Sequence, residues 1–463
     1  MGITGFYQYL QETIPGSFQS TTNLTGIFFD HIYIDLNYLL HQCSYNSDST
    51  DATLRKVETM IMDICCKFNP LESVNLCADG SAPLAKILLQ RDRRSNDSIE
   101  DNFVMNFTPG SEFMSSLHIK LERIKNRIEQ RFAVKVTIHN QDSGEAEIKI
   151  KNLILKNLTK NPQSLHLAVT NDADVVLIMV TTKQYKNIYI LTKNKEQKLV
   201  SIDSIVNLSG FEALDFGLLN LFLGNDYLPK LKIVTPEKLW HSYLIFKLKY
   251  NVLVELCTEN YQEYTKINDD FLKRILAGVV GQTKISVINK TTLRGYDEDM
   301  IKSYLEGINW CFSMYLNGNP INNHYMYEYG CAIDPIHIIM FLNKTSMDST
   351  KNLIETKPIS NELCSIILLP LTSRNLIDQK YYDFMDSEIC SVLYERERCK
   401  RCKKYKEENQ EHKKKYKEEN QEENKTVNLE TNKKYLEHKK SHKNLLVSDI
   451  KDIQKCFQEM FQN

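Results

Sequence analysis

The sequence predicts an α/β fold: a mostly parallel sheet flanked by helices over residues 1–230, a mainly helical region over 231–389 and a charged tail over 390–463. Three observations support this prediction. Short β-branched or apolar segments alternate with helical stretches, which is typical of parallel sheets. Several of these segments end at acidic residues. After residue 390 the composition changes abruptly to mostly Lys, Glu, Asn and Gln.

The composition is that of an ordinary globular chain. Its 463 residues are 42% hydrophobic and 10% aromatic, which is enough to bury a large core. It has no run of about 18 apolar residues and no charged-then-apolar leader, so we predict neither a membrane partner nor a secretory signal. The 12 cysteines are scattered without the spacing of a disulfide scaffold. We therefore expect a reducing compartment, the cytoplasm first and the nucleus second.

Three predicted strands deliver acidic residues at their carboxyl ends. HIYIDLNYLL ends near Asp35, and SVNLCADG ends near Asp79. LHLAVTNDADVVLIMV passes from a strand into Asp172 and Asp174. Open α/β sheets place their ligand crevice at this edge, so we expect the four side chains to lie close together.

A predicted helix carries a row of basic and amide side chains. It begins after Pro83 in ADGSAPLAKILLQRDRR, and positions i, i+4, i+7 and i+8 share one of its faces. These positions are Lys86, Gln90, Arg93 and Arg94. A solvated surface is the commonest role of such a row. The alternative is a receptor for a terminal phosphate, whose oxygens Arg binds through two parallel hydrogen bonds, and the nearby Asp79 favours it.

Two further segments complete the prediction. Residues 112–132, EFMSSLHIKLERIKNRIEQRF, repeat apolar residues at helical spacing after the turn formers Pro109 and Gly110.

In the tail, YKEENQE occurs at 405–411 and 416–422 without an apolar stripe, which indicates a solvated helix or a disordered segment. We expect this tail to act as a tether or a weak electrostatic binder. Four tail residues resemble zinc ligands, but the gap between the two pairs is much longer than in a zinc finger, which disfavours such a site. They are Cys399, Cys402, His438 and His442.

Acidic residues at strand ends or turns form the candidate catalytic and metal-binding set. They are Asp35, Asp79, Glu145, Glu147, Asp172, Asp174 and Asp226. Taken singly, each is better explained as a helix cap, a turn residue or a solvated charge. Taken together they would repel one another unless a cation compensates their charge. Oxygen ligands in this number suit two Mg²⁺ or Mn²⁺ ions, which about 4 Å apart can activate a water and stabilise the leaving oxygen of a phosphodiester.

Nine segments resemble, in order, the signature blocks of the Xrn 5′→3′ exoribonucleases. Seven of them fall within residues 1–230: MGITGFYQYL, IYIDLNYLLHQCSY, ADGSAPLAKILLQRDRR, FTPGSEFM, DSGEAEIKI, NDADVVLIMV and DFGLLNLFLGNDYLP. YLEGINWCFSMYLNG and SIILLPLTSRNLI extend the resemblance more thinly over 300–377, and the tail has no counterpart. The short, Asn- and Lys-rich chain would fit a copy carried by a large DNA virus or a parasite, acting in the host cytoplasm.

The resemblance implies a fold like that of the PIN and flap nucleases, and an activity. The implied activity is divalent-metal-dependent and processive removal of nucleotides, by a monomer, from single-stranded RNA with a 5′-monophosphate. The seven acids fall on the family's metal-binding positions, and the row on the predicted helix falls on the positions lining its 5′-monophosphate pocket. His41 stands where the family stacks a histidine on the first base. The second stacking residue of the family is a tryptophan, for which Trp310 is the candidate, with His324 and Tyr325 as alternatives because PINNHYMYEYG replaces the tryptophan-rich stretch.

Two rival functions are compatible with an acid-rich α/β fold. A flap-type DNA endonuclease grips duplex DNA through a glycine-rich hairpin after its last metal aspartate, whereas here YLPKLKIVTPEKLW follows Asp226. A catalytically silent RNA-binding scaffold would not need all seven acids. Both observations favour the exonuclease.

Overall fold

The computed structural model describes residues 3, 5–22, 26–45, 47–96, 103–182, 184–193, 196–259, 262–281, 296–351, 354–398 and 447–461. The chain forms two compact units of discontinuous segments, Met1–Leu89 with Ser116–Ile359 and Gln90–Ser115 with Ser360–Asn463. The functional division at residues 230 and 389 stays a prediction. Among the described helices, none combines the length and apolarity that crossing a bilayer requires.

A seven-stranded sheet forms the core of the first unit. Its strands are β1 Phe18–Ser20, β2 Phe29–Asp35, β3 Pro70–Cys77, β4 Lys135–His139, β5 His166–Val169, β6 Ile188–Lys193 and β7 Gln197–Ser201. Their order is β1-β7-β6-β5-β2-β3-β4. Strands β6, β5, β2, β3 and β4 run parallel, whereas β7 pairs antiparallel with both β6 and β1. The predicted α/β fold with a mostly parallel sheet is confirmed.

Strand β2 explains why acids collect at one edge of this sheet. Its sequence, FDHIYID, is buried at nearly every position, as expected for a parallel strand covered on both faces. In the register of the sheet, Ile34 pairs with Leu76 of β3 and with Val169 of β5. Asp35 therefore ends β2 beside the loops that follow both neighbouring strands.

Helices flank the sheet, and several begin at a capping side chain. The side chains of Asp35, Ser49 and Ser201 accept hydrogen bonds from the first turns of α2, α3 and α8. The bounds are α1 Phe6–Thr13, α2 Leu36–Ser44, α3 Thr50–Phe68, α4 Leu84–Asn96, α5 Glu112–Phe132, α6 Ala146–Lys160, α7 Asp174–Val180, α8 Ile202–Ser209 and α9 Ala213–Leu221. Helices α4 and α5 contribute residues to both units. The helix predicted over 112–132 is confirmed.

The later part of the first unit is mainly helical, as the sequence predicts. Its helices are α10 Pro236–Tyr250, α11 Asp269–Val280, α12 Glu298–Asn317 and α13 Pro335–Leu342. An antiparallel hairpin, β8 Val254–Glu259 with β9 Gln262–Ile267, is an element that the sequence did not predict. Its two strands are too short for their alternation to stand out from the surrounding helical pattern.

The described residues of the second unit form four further helices. They are α14 Asn361–Leu368, α15 Tyr382–Asp386, α16 Ser391–Arg398 and α17 Val447–Phe461. Phe457 of α17 packs 5.4 Å from Tyr381 and 5.3 Å from Phe384, between ring centroids. The end of the predicted charged tail is thus a packed helix, because Ile450, Ile453 and Phe457 form an apolar stripe at helical spacing. The YKEENQE repeat and the four zinc-ligand candidates lie outside the described residues.

Candidate active site

Two strand-end carboxylates are held by hydrogen bonds from neighbouring elements. Asp35 accepts from the amide of Tyr38 at 3.0 Å and from the hydroxyl of Thr170 at 2.9 Å. Asp79, which follows β3, accepts from the amide of Ala146 at 2.8 Å. These bonds join the ends of β2, β3 and β5 to the start of α6, so the carboxylates lie at one edge of the sheet.

The start of α6 brings two glutamates to the same edge. Glu145 immediately precedes the helix, and Glu147 lies in its first turn. Glu145 accepts hydrogen bonds from the Lys86 ammonium and the Tyr227 hydroxyl. Lys86 Nζ also lies 3.4 Å from Asp226 Oδ2. Lys86 thus joins a carboxylate before α6 to one in the loop after α9.

The loop after β5 supplies the last two acids. Asp172 Oδ1 accepts from the amide of Asp174 at 3.0 Å, and Asp174 Oδ1 accepts from the amide of Ile3 at 3.1 Å. The Tyr7 hydroxyl donates to the carbonyl oxygen of Asp172 at 3.2 Å. The N-terminal segment therefore packs against this loop.

Most of the site residues line one pocket. Its lining includes Lys86, Glu145, Glu147, Asp172 and Asp174, together with Tyr227 and Tyr315. The three other acids adjoin it: Asp226 through Lys86, and Asp35 and Asp79 through their charges, which act on Glu147. The structure thus brings all seven predicted acids together.

Burial and mutual repulsion raise the pKa of several of these carboxyls. Burial and the charge of Asp79 raise the pKa of Asp35 to about 7. Burial and the charge of Asp172 raise the pKa of Asp174 to about 8. The pKa of Glu147 is raised well above its ordinary value by burial and by the surrounding carboxylates. Such a cluster becomes favourable when a cation enters it.

Lys86 is the positive charge within this cluster. Burial alone would lower its pKa, but the charges around it, those of Glu145, Tyr227, Glu147 and Asp226, outweigh burial and raise the pKa well above its ordinary value. Lys86 is therefore charged at neutral pH. One ammonium offsets only part of the charge of seven carboxylates.

The donor set suits a hard divalent cation. Within the described ranges, no group of three or more His, Cys, Asp or Glu side chains already has the spacing of a metal site. The ligand atoms are nonetheless all oxygens, as Mg²⁺ and Mn²⁺ prefer. Burial, and after it the charges of neighbouring carboxylates, raise the pKa of Asp35, Glu147 and Asp174, and a bound divalent cation would favour their charged forms.

The other predicted substrate-binding residues lie on two helices. His41 is exposed on the last turn of α2, the helix that Asp35 caps. Gln90, Arg93 and Arg94 follow Lys86 on α4 and are half-buried, as Lys86 is. These three residues belong to the second unit.

Trp310 does not present an open ring. It is 6% exposed, and its ring stacks on Tyr325 with centroids 4.8 Å apart. This packing does not fit the base-stacking role predicted for Trp310, and Tyr325 is equally buried. His324 is half-exposed, and its neighbour Asn323 accepts from the amide of Leu84 at 2.8 Å, so His324 lies near the start of α4.

Two site residues were not predicted from the sequence. Tyr227 hydrogen-bonds Glu145, and Thr170 hydrogen-bonds Asp35. Tyr227 directly follows Asp226, and Thr170 stands two residues before Asp172. Adjacency to a predicted acid was the available signal for both.

Comparison with known proteins agrees with this geometry. Residues 1–106 and 95–194 match the family described as XRN 5′-3′ exonuclease N-terminus. These residues are similar to that family. Six of the seven acids of this chain lie within the matched residues, and Asp226 follows them.

Curated proteins match this chain at low identity. It is 25% identical over 342 residues to 5′-3′ exoribonuclease 1 of Saccharomyces cerevisiae, covering 59% of this chain and 22% of the relative. It is 26% identical over 285 residues to 5′-3′ exoribonuclease 1 of Homo sapiens, covering 54% of this chain and 16% of the relative. The chain therefore spans less than a quarter of the length of these relatives.

Two solved structures are distantly similar to this chain. The catalytic core of Rad2 in complex with DNA substrate gives a TM-score of 0.38 at 14% identity, covering 80% of this chain and 99% of that one. The T5 D15 protein co-crystallized with metal ions gives a TM-score of 0.31 at 12% identity, covering 62% and 98%.

Proposed function

We propose that this protein is a 5′→3′ exoribonuclease. Its substrate is single-stranded RNA with a 5′-monophosphate, which it shortens processively by one nucleotide at a time. The observation that carries this proposal is the convergence of seven carboxylates at one sheet edge, with Lys86 at the start of α4 in contact with Glu145 of that cluster. The helix proposed to bind the terminal phosphate thus begins inside the cluster proposed to cut the chain.

The carboxylates are proposed to hold two Mg²⁺ or Mn²⁺ ions. When bound, these ions supply an activated water and stabilise the leaving oxygen of the phosphodiester. The protein's own part is to fix the oxygens in place. Asp79 and Asp174 each accept a backbone hydrogen bond on one oxygen, and Asp35 accepts one hydrogen bond on each oxygen, which orients the carboxylates.

Helix α4 is proposed to recognise the RNA end. A terminal phosphate carries up to two negative charges and three acceptor oxygens, which suits a lysine, an amide and two arginines on one helical face. The exposed ring of His41 offers a stacking surface for the first base, and such stacking accepts any base. Each cut leaves a new 5′-monophosphate, so repeated cutting from one end is expected.

The test compares two single-stranded RNAs of one sequence, one with a 5′-phosphate and one with a 5′-hydroxyl, in Mg²⁺. We expect rapid loss of only the phosphorylated RNA, with mononucleotides as products and no loss in EDTA. Binding without loss would instead indicate a scaffold. Cleavage only at duplex junctions would indicate a flap endonuclease.

A matched pair of variants tests end recognition. Arg93→Ala removes one charge-assisted contact, for which we expect the preference for the 5′-phosphate to fall by roughly tenfold or more. Arg55→Ala, at an exposed position of α3, serves as the control and should keep the preference. Equal behaviour of the two variants would remove Arg93 from the proposed site.

A further inference from the structure

Helix α6 carries a buried lysine that the proposed chemistry does not use. Lys149 follows Glu145 by one helical turn and is 9% exposed. Its ammonium donates to the carbonyl oxygen of Ala78 at 2.8 Å and to that of Asp142 at 2.7 Å. Ala78 immediately precedes Asp79, and Asp142 lies in the loop leading to Glu145. Lys149 therefore links the two backbone segments that deliver these acids.

The same two segments are joined by their own backbones. The amide of Gly80 donates to the carbonyl of Gly144 at 2.8 Å, and the amide of Gly144 donates to the carbonyl of Ser81 at 2.8 Å. The amide of Ala146 donates to Asp79 Oδ1 at 2.8 Å. The loop after β3 and the loop before α6 thus cross at close range.

Gly80 makes this crossing possible. A Cβ atom at position 80 would lie 2.1 Å from the carbonyl oxygen of Asp142, which is far inside contact distance. The absence of a side chain lets that carbonyl approach, and the ammonium of Lys149 binds it there. The loops are thus held both by a close backbone approach and by a cation.

We propose that Lys149 is a positioning residue that sets the spacing between Asp79 and the pair Glu145 and Glu147, and through that spacing the affinity of the cluster for a divalent cation. This inference rests on the proposed function, in which those acids hold the cation. Both hydrogen bonds of Lys149 end on carbonyl oxygens, so the carboxylate oxygens stay available. Lys86, in contrast, contacts the carboxylates themselves.

The next lysine on the helix provides a matched control. Lys151 is fully buried, and its ammonium donates to the carbonyl of Leu316 at 3.0 Å and to the hydroxyl of Thr181 at 3.1 Å. It has the same chemistry and a similar depth as Lys149, but it binds the end of α12 and the residue after α7. Loss of either ammonium leaves a buried carbonyl without that donor, so both variants should lose stability.

The experiment measures Mn²⁺ binding to the full chain by isothermal titration calorimetry, alongside urea unfolding. For Lys149→Met we expect Mn²⁺ affinity to fall by roughly 10- to 100-fold, the range seen when groups that orient metal ligands are removed. Lys149→Arg keeps the charge and the donors and should recover most of the affinity. Lys151→Met should lose stability while keeping Mn²⁺ affinity within about threefold of the parent. Unchanged affinity in Lys149→Met, or an equal loss in Lys151→Met, overturns the inference.

A second variant keeps the test open if Lys149→Met does not fold. Gly80→Ala pushes the two loops apart without touching a charged group, and we expect it to weaken Mn²⁺ binding as well. Wild-type affinity in Gly80→Ala overturns the inference. If the wild-type protein binds no Mn²⁺, the proposed function is overturned together with this inference. If the wild type binds Mn²⁺ and degrades RNA, and Lys149→Met has the same Mn²⁺ affinity, only this inference is overturned.

Discussion

The amino end of strand β5 and the carboxyl end of strand β2 hold buried polar clusters of opposite character. At the amino end, His166 pairs its two ring nitrogens with the Tyr33 hydroxyl at 3.0 Å and the Ser164 hydroxyl at 2.9 Å. Asn157 also donates to the Tyr33 hydroxyl, at 2.9 Å. At the carboxyl end, Asp35 begins a cluster of like charges. One end is a network of neutral partners, and the other is a set of groups that repel one another.

The electrostatics of the two ends differ in the same way. Burial lowers the pKa of His166 to about 3, so the imidazole is neutral and suited to its hydroxyl partners. Burial and repulsion raise the pKa of Asp35 and Asp174 to about 7 and about 8. The amino end stabilises the fold as it stands. The carboxyl end costs stability until a cation compensates it.

A single buried acid elsewhere shows that burial alone does not mark a functional carboxylate. Asp215 of α9 accepts from the Tyr243 hydroxyl at 2.8 Å and from the amides of Leu253 and Val254 at 2.9 and 2.8 Å. Burial raises its pKa, while these hydrogen bonds oppose that rise. The difference lies in the neighbours: Asp215 is surrounded by hydrogen-bond donors, whereas the acids at the sheet edge, besides their donors, also have one another's charges close by.

The largest effect is expected from Asp174→Asn. The amide keeps an acceptor for the Ile3 amide but removes one negative charge, so RNA decay should fall by roughly 10²- to 10³-fold. In EDTA, relief of repulsion should leave the free energy of unfolding at pH 8 equal to or above that of the parent. Decay kinetics and urea unfolding check the two parts. If Asp174→Asn is less stable than the parent but still degrades RNA, the acids at the carboxyl end have a structural role, like the residues at the amino end.

The next effect concerns cation addition. Mn²⁺ at about 100 times its dissociation constant should raise the free energy of unfolding by about 2.7 kcal/mol, because it binds only the folded cluster. The rise should persist in a His166 variant and shrink in Asp174→Asn. Thermal or urea unfolding with and without Mn²⁺ measures it. An equal rise in all three proteins would place the cation outside the proposed cluster.

Substitution at the amino end should affect stability alone. His166→Asn leaves the Tyr33 and Ser164 hydroxyls poorly paired, and we expect a loss of about 1–3 kcal/mol in the free energy of unfolding. RNA decay per folded molecule should stay at the parent rate. His241→Asn, at an exposed position of α10, is the control and should change neither quantity. Lost decay in folded His166→Asn would contradict the division of roles between the two ends.

The smallest effect is a pH dependence of opposite sign at the two ends in metal-free protein. The folded pKa of Asp174 is about 8 against an ordinary value of 3.8, so its cost to stability is relieved as pH falls from 8. The folded pKa of His166 is about 3 against 6.5, so its contribution is complete above pH 6.5 and is lost as pH falls toward 3. Each group changes stability by at most about 1.4 kcal/mol per pH unit.

Urea unfolding in EDTA between pH 8 and pH 4 checks these signs. The parent should become more stable from pH 8 to 6.5 as the acidic cluster takes up protons, and Asp174→Asn should flatten that rise. His166→Asn should steepen the rise below pH 6.5. Identical pH profiles for parent and Asp174→Asn would show that the acids do not repel one another.

Much of the site could be predicted because its signals are local. A buried strand followed by an acid is visible in the sequence at Asp35, Asp79 and Asp172. Parallel pairing then brings such strand ends to one edge, so the convergence follows from the fold class. The helix over 112–132 was equally local, since its apolar spacing needs no distant partner.

The remainder depended on contacts that the sequence does not encode locally. Trp310 looked like a stacking surface, but its partner Tyr325 comes from a loop beyond the end of α12 and buries the ring. Lys149 looked like one more helical lysine, yet its carbonyl partner Ala78 lies 71 residues away. Helix α17 carries a clear apolar stripe, but the surface it packs on belongs to residues near 381 and 384.

The packing of α17 also covers aromatic rings from an earlier part of the chain. Tyr394 of α16 donates to the carbonyl of Ile366 at 3.0 Å, and Phe457 of α17 contacts Tyr381, so both helices are fixed within the second unit. A variant without α17 would leave the rings of Tyr381 and Phe384 without this apolar cover, so we expect it to lose stability and to expose apolar surface.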